Sequence, residues 1–243
     1  MEWNAVEKEV LNREPLDLLD AALAASGIAA WEELERYRLR TSILLQRFRG
    51  TVGADLPPIA RARSLFRWLW LVKPRRYRHS STFLLSQVLD AHFDTTQVVE
   101  GNCLGFTQLY NVLGKALGLR VGIVHIDEAF GQGPHVLSAL YLGNGDMDVE
   151  NIFHRGFDYK GHLDRPGREI WGDRELVADV YLSRGNLNLD IGNLEQATED
   201  YEKALQLNPR YDKAHLNRGI ALAALDRETE ALKSLGEVPV ALG

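Results

Sequence analysis

The residues best suited to nucleophilic chemistry in this chain are one cysteine, Cys103, and seven histidines. Cysteine attacks as thiolate, and an ordinary pKa of about 8.5 keeps most of it protonated at neutral pH. A helix N-terminus and a nearby histidine both favour the thiolate. Cys103 follows Gly101-Asn102, and asparagine is a favoured N-cap, so Cys103 is expected to open a helix. The competing reading is a small buried cysteine at a helix start. His135 is the best-placed base. It begins an expected strand after Gly131-Gln132-Gly133-Pro134, which sets its ring at the mouth of a sheet. His92 and His215 fall in expected helices, His79 in a basic run and His125 in a buried strand. His154 and His162 stay open as candidates.

A third group should fix the histidine ring and its tautomer. Hairpin register decides which one. With Asn144-Gly145 as a two-residue turn, Tyr141 opposes Asp148 and Ala139 opposes Glu150, and Glu150 stays two strand steps short of His135 unless a bulge intervenes. With Gly143-Asn144-Gly145 as a three-residue loop, Asn151 becomes the diagonal same-face neighbour of His135. Diagonal pairs lie about 7–8 Å apart at the backbone, a gap that a side-chain amide can bridge. Asn151 is therefore the expected third member, with Glu150 and Asp148 in reserve. The backbone N–H of Cys103 is the natural oxyanion donor. Gln97, six residues before the cysteine, is a second candidate.

Three segments must position these residues. From about Ala5 to Val72 the pattern is helical: Leu16, Leu19 and Leu23 recur at helical spacing before Gly27, Trp31 to Phe48 forms a second helix, and Pro57-Pro58 opens a third that Lys73-Pro74 ends. A short helix is expected over Ser81–Asp90. From about Thr95 to Trp171 the character changes. Leu109, Val112, Leu113, Ala116 and Leu117 form one apolar helical stripe that stops at Gly118. Val121–Ile126, His135–Leu142 and Met147–Ile152 read as strands, the last two joined around Gly143-Asn144-Gly145. A helix followed by antiparallel strands implies an α+β core.

The third segment repeats internally. Tyr181, Gly185, Ala197 and Tyr201 recur as His215, Gly219, Ala231 and Leu235, each 34 residues on. That period of paired helices, with Ala204 and Pro209 at the small and closing positions, resembles the tetratricopeptide repeat over about residues 178–236. Two repeats are fewer than the three or so that usually stand alone, so the pair is expected to pack on the core. It serves either as a groove for a partner or as a buttress.

Gly101-Asn102-Cys103-Leu104-Gly105-Phe106, the helix that follows, and a strand opening with His135 together resemble the transglutaminase-like superfamily, in its bacterial SirB-like branch. Members of that branch often join such a core to C-terminal tetratricopeptide repeats. The resemblance covers about residues 60–237. It implies a papain-like fold and a thiol acyl-transfer or amide-hydrolysis triad, with Cys103 in the place of the nucleophile and His135 in that of the base. The family's aspartate falls where this chain has Asn151, which leaves Glu150 and Asp148 as alternatives. Some members of the branch lack the nucleophile, so an inactive adaptor is the alternative function. The resulting division is a helical region 1–58, a transglutaminase-like core 59–174 in which a helix packs on an antiparallel sheet, and repeats over 175–243.

Composition bounds the partners. The chain has 243 residues, 28 basic and 34 acidic, for a net charge of −6, and 45% of its residues are apolar, the profile of an ordinary globular protein. No apolar stretch approaches the 20 or so residues of a membrane span, and the N-terminus shows no secretory pattern. A single cysteine suits a reducing, cytoplasmic setting. Residues Arg36–Arg78 hold 12 basic groups against one acid, Asp55. Such a block could attract nucleic acid, but it contains no nucleic-acid motif and is expected to pair with acids of the same chain. The expected partner is a protein or peptide substrate. The spacing shows no metal-ligand cluster or phosphate loop, so no cofactor is expected.

Overall fold

The computed structural model describes residues 3–52, 55–79, 82–97, 100–143 and 145–238. They form two compact units, one spanning Asn4–Asp173 and the other comprising residues from Arg174 onward with Trp3.

The larger unit opens with helices. α1 (Ala5–Leu11) is closed at its start by a capping box between Asn4 and Glu7. α2 (Leu18–Ala25) is capped by Asp17, and Gly27 ends it with a positive φ of 92° that a Cβ would oppose. α3 (Trp31–Thr51) and α4 (Pro58–Val72) follow, the latter with proline in its first turn and Lys73 as its C-cap. The buried Lys73 donates from Nζ to the carbonyls of Ala91, Asp94 and Gln97 at 2.8, 2.6 and 2.7 Å. α5 runs over Leu85–Phe93, later than the helix expected from Ser81. Ser81 lies outside the described residues. The carbonyl of Thr82 accepts from the N–H of Asn102 at 2.9 Å, so this stretch braces the start of the next helix instead of extending α5.

That helix, α6 (Cys103–Ala116), buries Leu109 and Leu113 completely, each worth about 1.5–3 kcal/mol relative to exposure. It packs on a four-stranded sheet of order β3-β2-β1-β4, all antiparallel: β1 (Val121–Ile126), β2 (His135–Leu142), β3 (Gly145–Val149) and β4 (Glu169–Trp171). Gly114 of α6 faces Val121 of β1 at ordinary contact distance. β4 was not legible in the sequence. β3 stops at Val149 because the chain turns at once, with Glu150 N–H bonded to the Gly156 carbonyl at 2.8 Å.

Most of the basic run folds back on its own unit. Arg38 pairs with Asp20 and Glu35, Arg40 with Asp90 and Arg36 with Glu33. Arg61 donates to the carbonyls of Leu117 and Leu56.

The second unit is two helix hairpins: α7 (Asp173–Asp190) with α8 (Leu194–Leu207), then α9 (Asp212–Ala224) with α10 (Glu228–Gly236). A Cβ on Gly185 would lie 2.5 Å from the Tyr201 ring, and one on Gly219 2.7 Å from Leu235. Both contacts sit 34 residues apart, so the sequence repeat is one of packing. Among the described residues no helix is long and apolar enough to cross a membrane.

Candidate functional site

Cys103 is the first residue of α6 and is partly exposed. Asn102 caps it, its side-chain oxygen accepting from the N–H of Gly105 at 3.2 Å. The helix N-terminus favours negative charge at this end. A Cβ on Gly105 would lie 2.7 Å from Val88 Cγ2 and 3.3 Å from Phe83 Cα, so glycine here lets α5 press on the first turn.

Buried charges hold the approach to this helix. The Arg76 side chain lies 3.3 Å from Glu100, whose other oxygen is 2.6 Å from His92 Nδ1. The N–H of Glu100 donates to the Arg76 carbonyl at 2.8 Å, and Tyr77 bridges to Gly101. The Arg76 guanidinium also lies over Phe106 at 4.1 Å. Burial holds Arg76 below its ordinary range, with Glu100 opposing. His92, an ordinary helical histidine in sequence, thus steadies the segment that ends at Cys103.

His135 opens β2, paired with Ile126 of β1. Its Nε2 lies 2.7 Å from Glu150 Oε2, and the ring also hydrogen-bonds to Cys103. Burial disfavours the charged ring. Hydrogen bonds and charge from Cys103 and Glu150 outweigh it and push His135 up to about 10. Burial alone would raise Glu150, but His135 and His162 hold it below the usual carboxylate range. Tyr77 stands nearby; burial, then the charges of Cys103 and Glu150, raise its phenol.

The register differs from both expected alternatives. Leu142 pairs with Gly145 and Ser138 with Val149, so two positions separate the paired strands; Asn144, the second of them, lies outside the described residues. Continuing this register sets Glu150 opposite Leu137 and diagonal to His135. A shift of one residue turns every side chain to the other face. Asn151 accordingly does not meet His135. Its amide donates to Ser138 Oγ at 2.9 Å and approaches Thr107 Oγ1 at 3.5 Å, tying β2 to α6. Asp148 is also elsewhere, held by Arg168 through two bonds of 3.0 and 2.9 Å. Gln97 is exposed on the loop after α5, and among the described residues no contact joins its side chain to Cys103.

Several participants carried no sequence signal. His162, one of two histidines left open, lies fully buried with Nε2 3.2 Å from the same Glu150 oxygen. The edges of Phe130 and Tyr159 meet its ring at 4.9 Å each. Gly156 is required because a Cβ there would fall 1.9 Å from the Glu150 carbonyl oxygen. Residues that spacing did not group, His135, Glu150 and His162, thus bring ligand-type atoms within 4.8 Å of one another. His125 stacks on Trp171 at 4.0 Å, as a core histidine should.

No curated protein and no solved structure matches the chain. The family model of the TPR repeat matches residues 185–226, so the chain carries a TPR repeat, a module for contact between proteins, within its second unit.

Proposed function

We propose that this chain is a thiol acyl-transfer enzyme acting on peptide or side-chain amides, with Cys103 as nucleophile, His135 as acid–base and Glu150 as the group that orients and charges the imidazole. The observation that carries this reading is His135 held between the cysteine at a helix start and a buried carboxylate. Glu150 favours the charged form of the ring, and a charged imidazole beside a thiol favours the thiolate. Cys103 attacks the amide carbonyl; the oxyanion meets the backbone N–H of Cys103, one of the donors that a helix start leaves unpaired. His135 gives its proton to the leaving amine. Water releases the acyl group in hydrolysis, and a second amine does so in transamidation. The reading agrees with the likeness to the transglutaminase-like superfamily and its papain-like core, with Glu150 in the role that the family gives to an aspartate one position later. A lone thiol also suits a reducing, cytoplasmic compartment.

Alkylation by iodoacetamide tests it without a known substrate. Wild-type Cys103 is expected to react at pH 6–7 at least about tenfold faster than in His135→Ala, because the charged ring is what favours the thiolate. Equal rates in both proteins would end the proposal.

The TPR match favours a second reading, an adaptor whose helical hairpins hold a protein partner. Cys103→Ala separates the two. An adaptor keeps its partner and its cellular effect, while an enzyme loses turnover.

A further inference from the structure

We infer that His135, Glu150 and His162 form a binding site for a divalent first-row transition metal ion of the zinc class, with Nε2 of each histidine and the Glu150 carboxylate as ligands. The inference does not rest on acyl transfer: it takes His135 as a neutral ligand, so a loaded site and an acid–base His135 exclude each other.

Convergence is the first support. Both Nε2 atoms lie close to one oxygen, Glu150 Oε2, at 2.7 and 3.2 Å, and the three ligand-type atoms all lie within 4.8 Å of one another. Zinc bonds of about 2.0–2.2 Å in a tetrahedral site separate ligands by about 3.3–3.5 Å. Measured to Glu150 Oε2, the two Nε2 atoms lie inside that spacing, so the side chains must spread to admit an ion.

His162 supplies the second support. It is wholly buried, and among the described residues neither ring nitrogen makes a well-aligned hydrogen bond, although Nε2 stands at ion-pair distance from Glu150. A buried polar atom left unpaired costs about 1–3 kcal/mol and calls for an explanation, of which a bound ion is one. The ring has no freedom to seek another partner, because Phe130 and Tyr159 meet it edge-on from two sides. A carboxylate flanked by two imidazoles, one of them without an aligned hydrogen bond, is an arrangement a cation would complete.

The donor set decides the class. Two imidazoles and a carboxylate suit zinc, iron(II) or cobalt(II), whereas magnesium and calcium prefer oxygen throughout. Three protein ligands leave a position open, as in catalytic zinc sites. Cys103 is not among the clustered residues. The aromatic shell of Phe130, Phe153 and Tyr159 would keep the ion poorly hydrated and tightly held.

The test is zinc binding by calorimetry on the full chain after treatment with a chelator, followed by cobalt(II) spectra. One zinc per chain is expected, bound at micromolar concentration or below. Cobalt should give visible bands of a four- or five-coordinate site, with no sulfur-to-metal charge-transfer band, and Cys103→Ala should give the same spectrum. His162→Asn should weaken binding by more than the roughly 10- to 100-fold that loss of a mere outer-sphere partner costs. Should His162→Asn fail to fold, the wild-type cobalt spectrum decides alone. A chain that takes up no zinc from micromolar solution overturns the proposal. So does binding that survives His162→Asn, or a cobalt–sulfur band that disappears in Cys103→Ala. The alkylation assay is read separately, so either proposal can fail without the other.

Discussion

Replacing Glu150 by glutamine keeps its size and removes its charge, and the structure sets the expected cost. The His135 ring rises from 6.5 to about 10 on folding, which at about 1.4 kcal/mol per pH unit is a preference of about 5 kcal/mol for the charged form. Cys103 and Glu150 share that effect, so Glu150→Gln is expected to destabilise the unit Asn4–Asp173 by about 2 kcal/mol, or about 4–8 °C in melting temperature for a unit of this size. The loss should depend on pH. Because His135 is raised in the folded state, its contribution is complete below 6.5 and fades as the pH climbs to about 10. Glu150 is lowered, so its own contribution is present above 4.5 and is lost as acid protonates it. The gap between wild type and variant should be widest between these two values and should close toward the alkaline end. Urea unfolding of both proteins across this range, followed by tryptophan fluorescence, measures it. A gap that is the same at every pH would mean that glutamine merely fits badly, and the absence of any gap would refute the electrostatic account of the site.

Other substitutions test the supports of the site. Gly156→Ala drives a Cβ into the Glu150 carbonyl, backbone against backbone, and should lower stability by about 1–3 kcal/mol and slow Cys103 alkylation near neutral pH. Gly105→Ala should weaken the packing of α5 on α6 by a similar amount, read as a drop in melting temperature, since Phe83 Cα cannot move aside as a side chain can. In the second unit Gly185→Ala crowds the Tyr201 ring and should loosen the α7–α8 hairpin, visible as faster amide exchange in both helices. Glu100→Gln leaves the buried Arg76 without its counter-charge and should cost about 3–5 kcal/mol in urea unfolding.

Local signals were readable where they are strong. The starts of α4 and α6, the stop at Gly27 and the 34-residue repeat follow from proline, asparagine, glycine and apolar spacing, each acting within one or two turns of chain. Cys103 and His135 were legible for the same reason: each begins an element, and a beginning leaves a mark in sequence. Glu150 could be reached only through the hairpin register, and both alternatives carried the turn through Gly145, one residue too far, because glycine stands on either side of Asn144 and gives no preference between them. The α5 boundary moved because Thr82 serves the cap of α6, a contact between distant residues. His162, Arg76, Glu100 and Tyr77 reach the neighbourhood of the site through tertiary packing alone, for which spacing has no signature. β4 has three residues, too few to carry an alternation.

The short turn between Leu142 and Gly145 acts as a selector for the chemistry next to His135. A slip of one residue at this turn, pairing Leu142 with Asp146, would offer the imidazole a neutral amide from Asn151 where it now meets an anion. Such a slip, far from sulfur and ring, would thus exchange a charged dyad for an uncharged one. The loop that closes the hairpin is the least costly place from which the acidity of this histidine can be retuned.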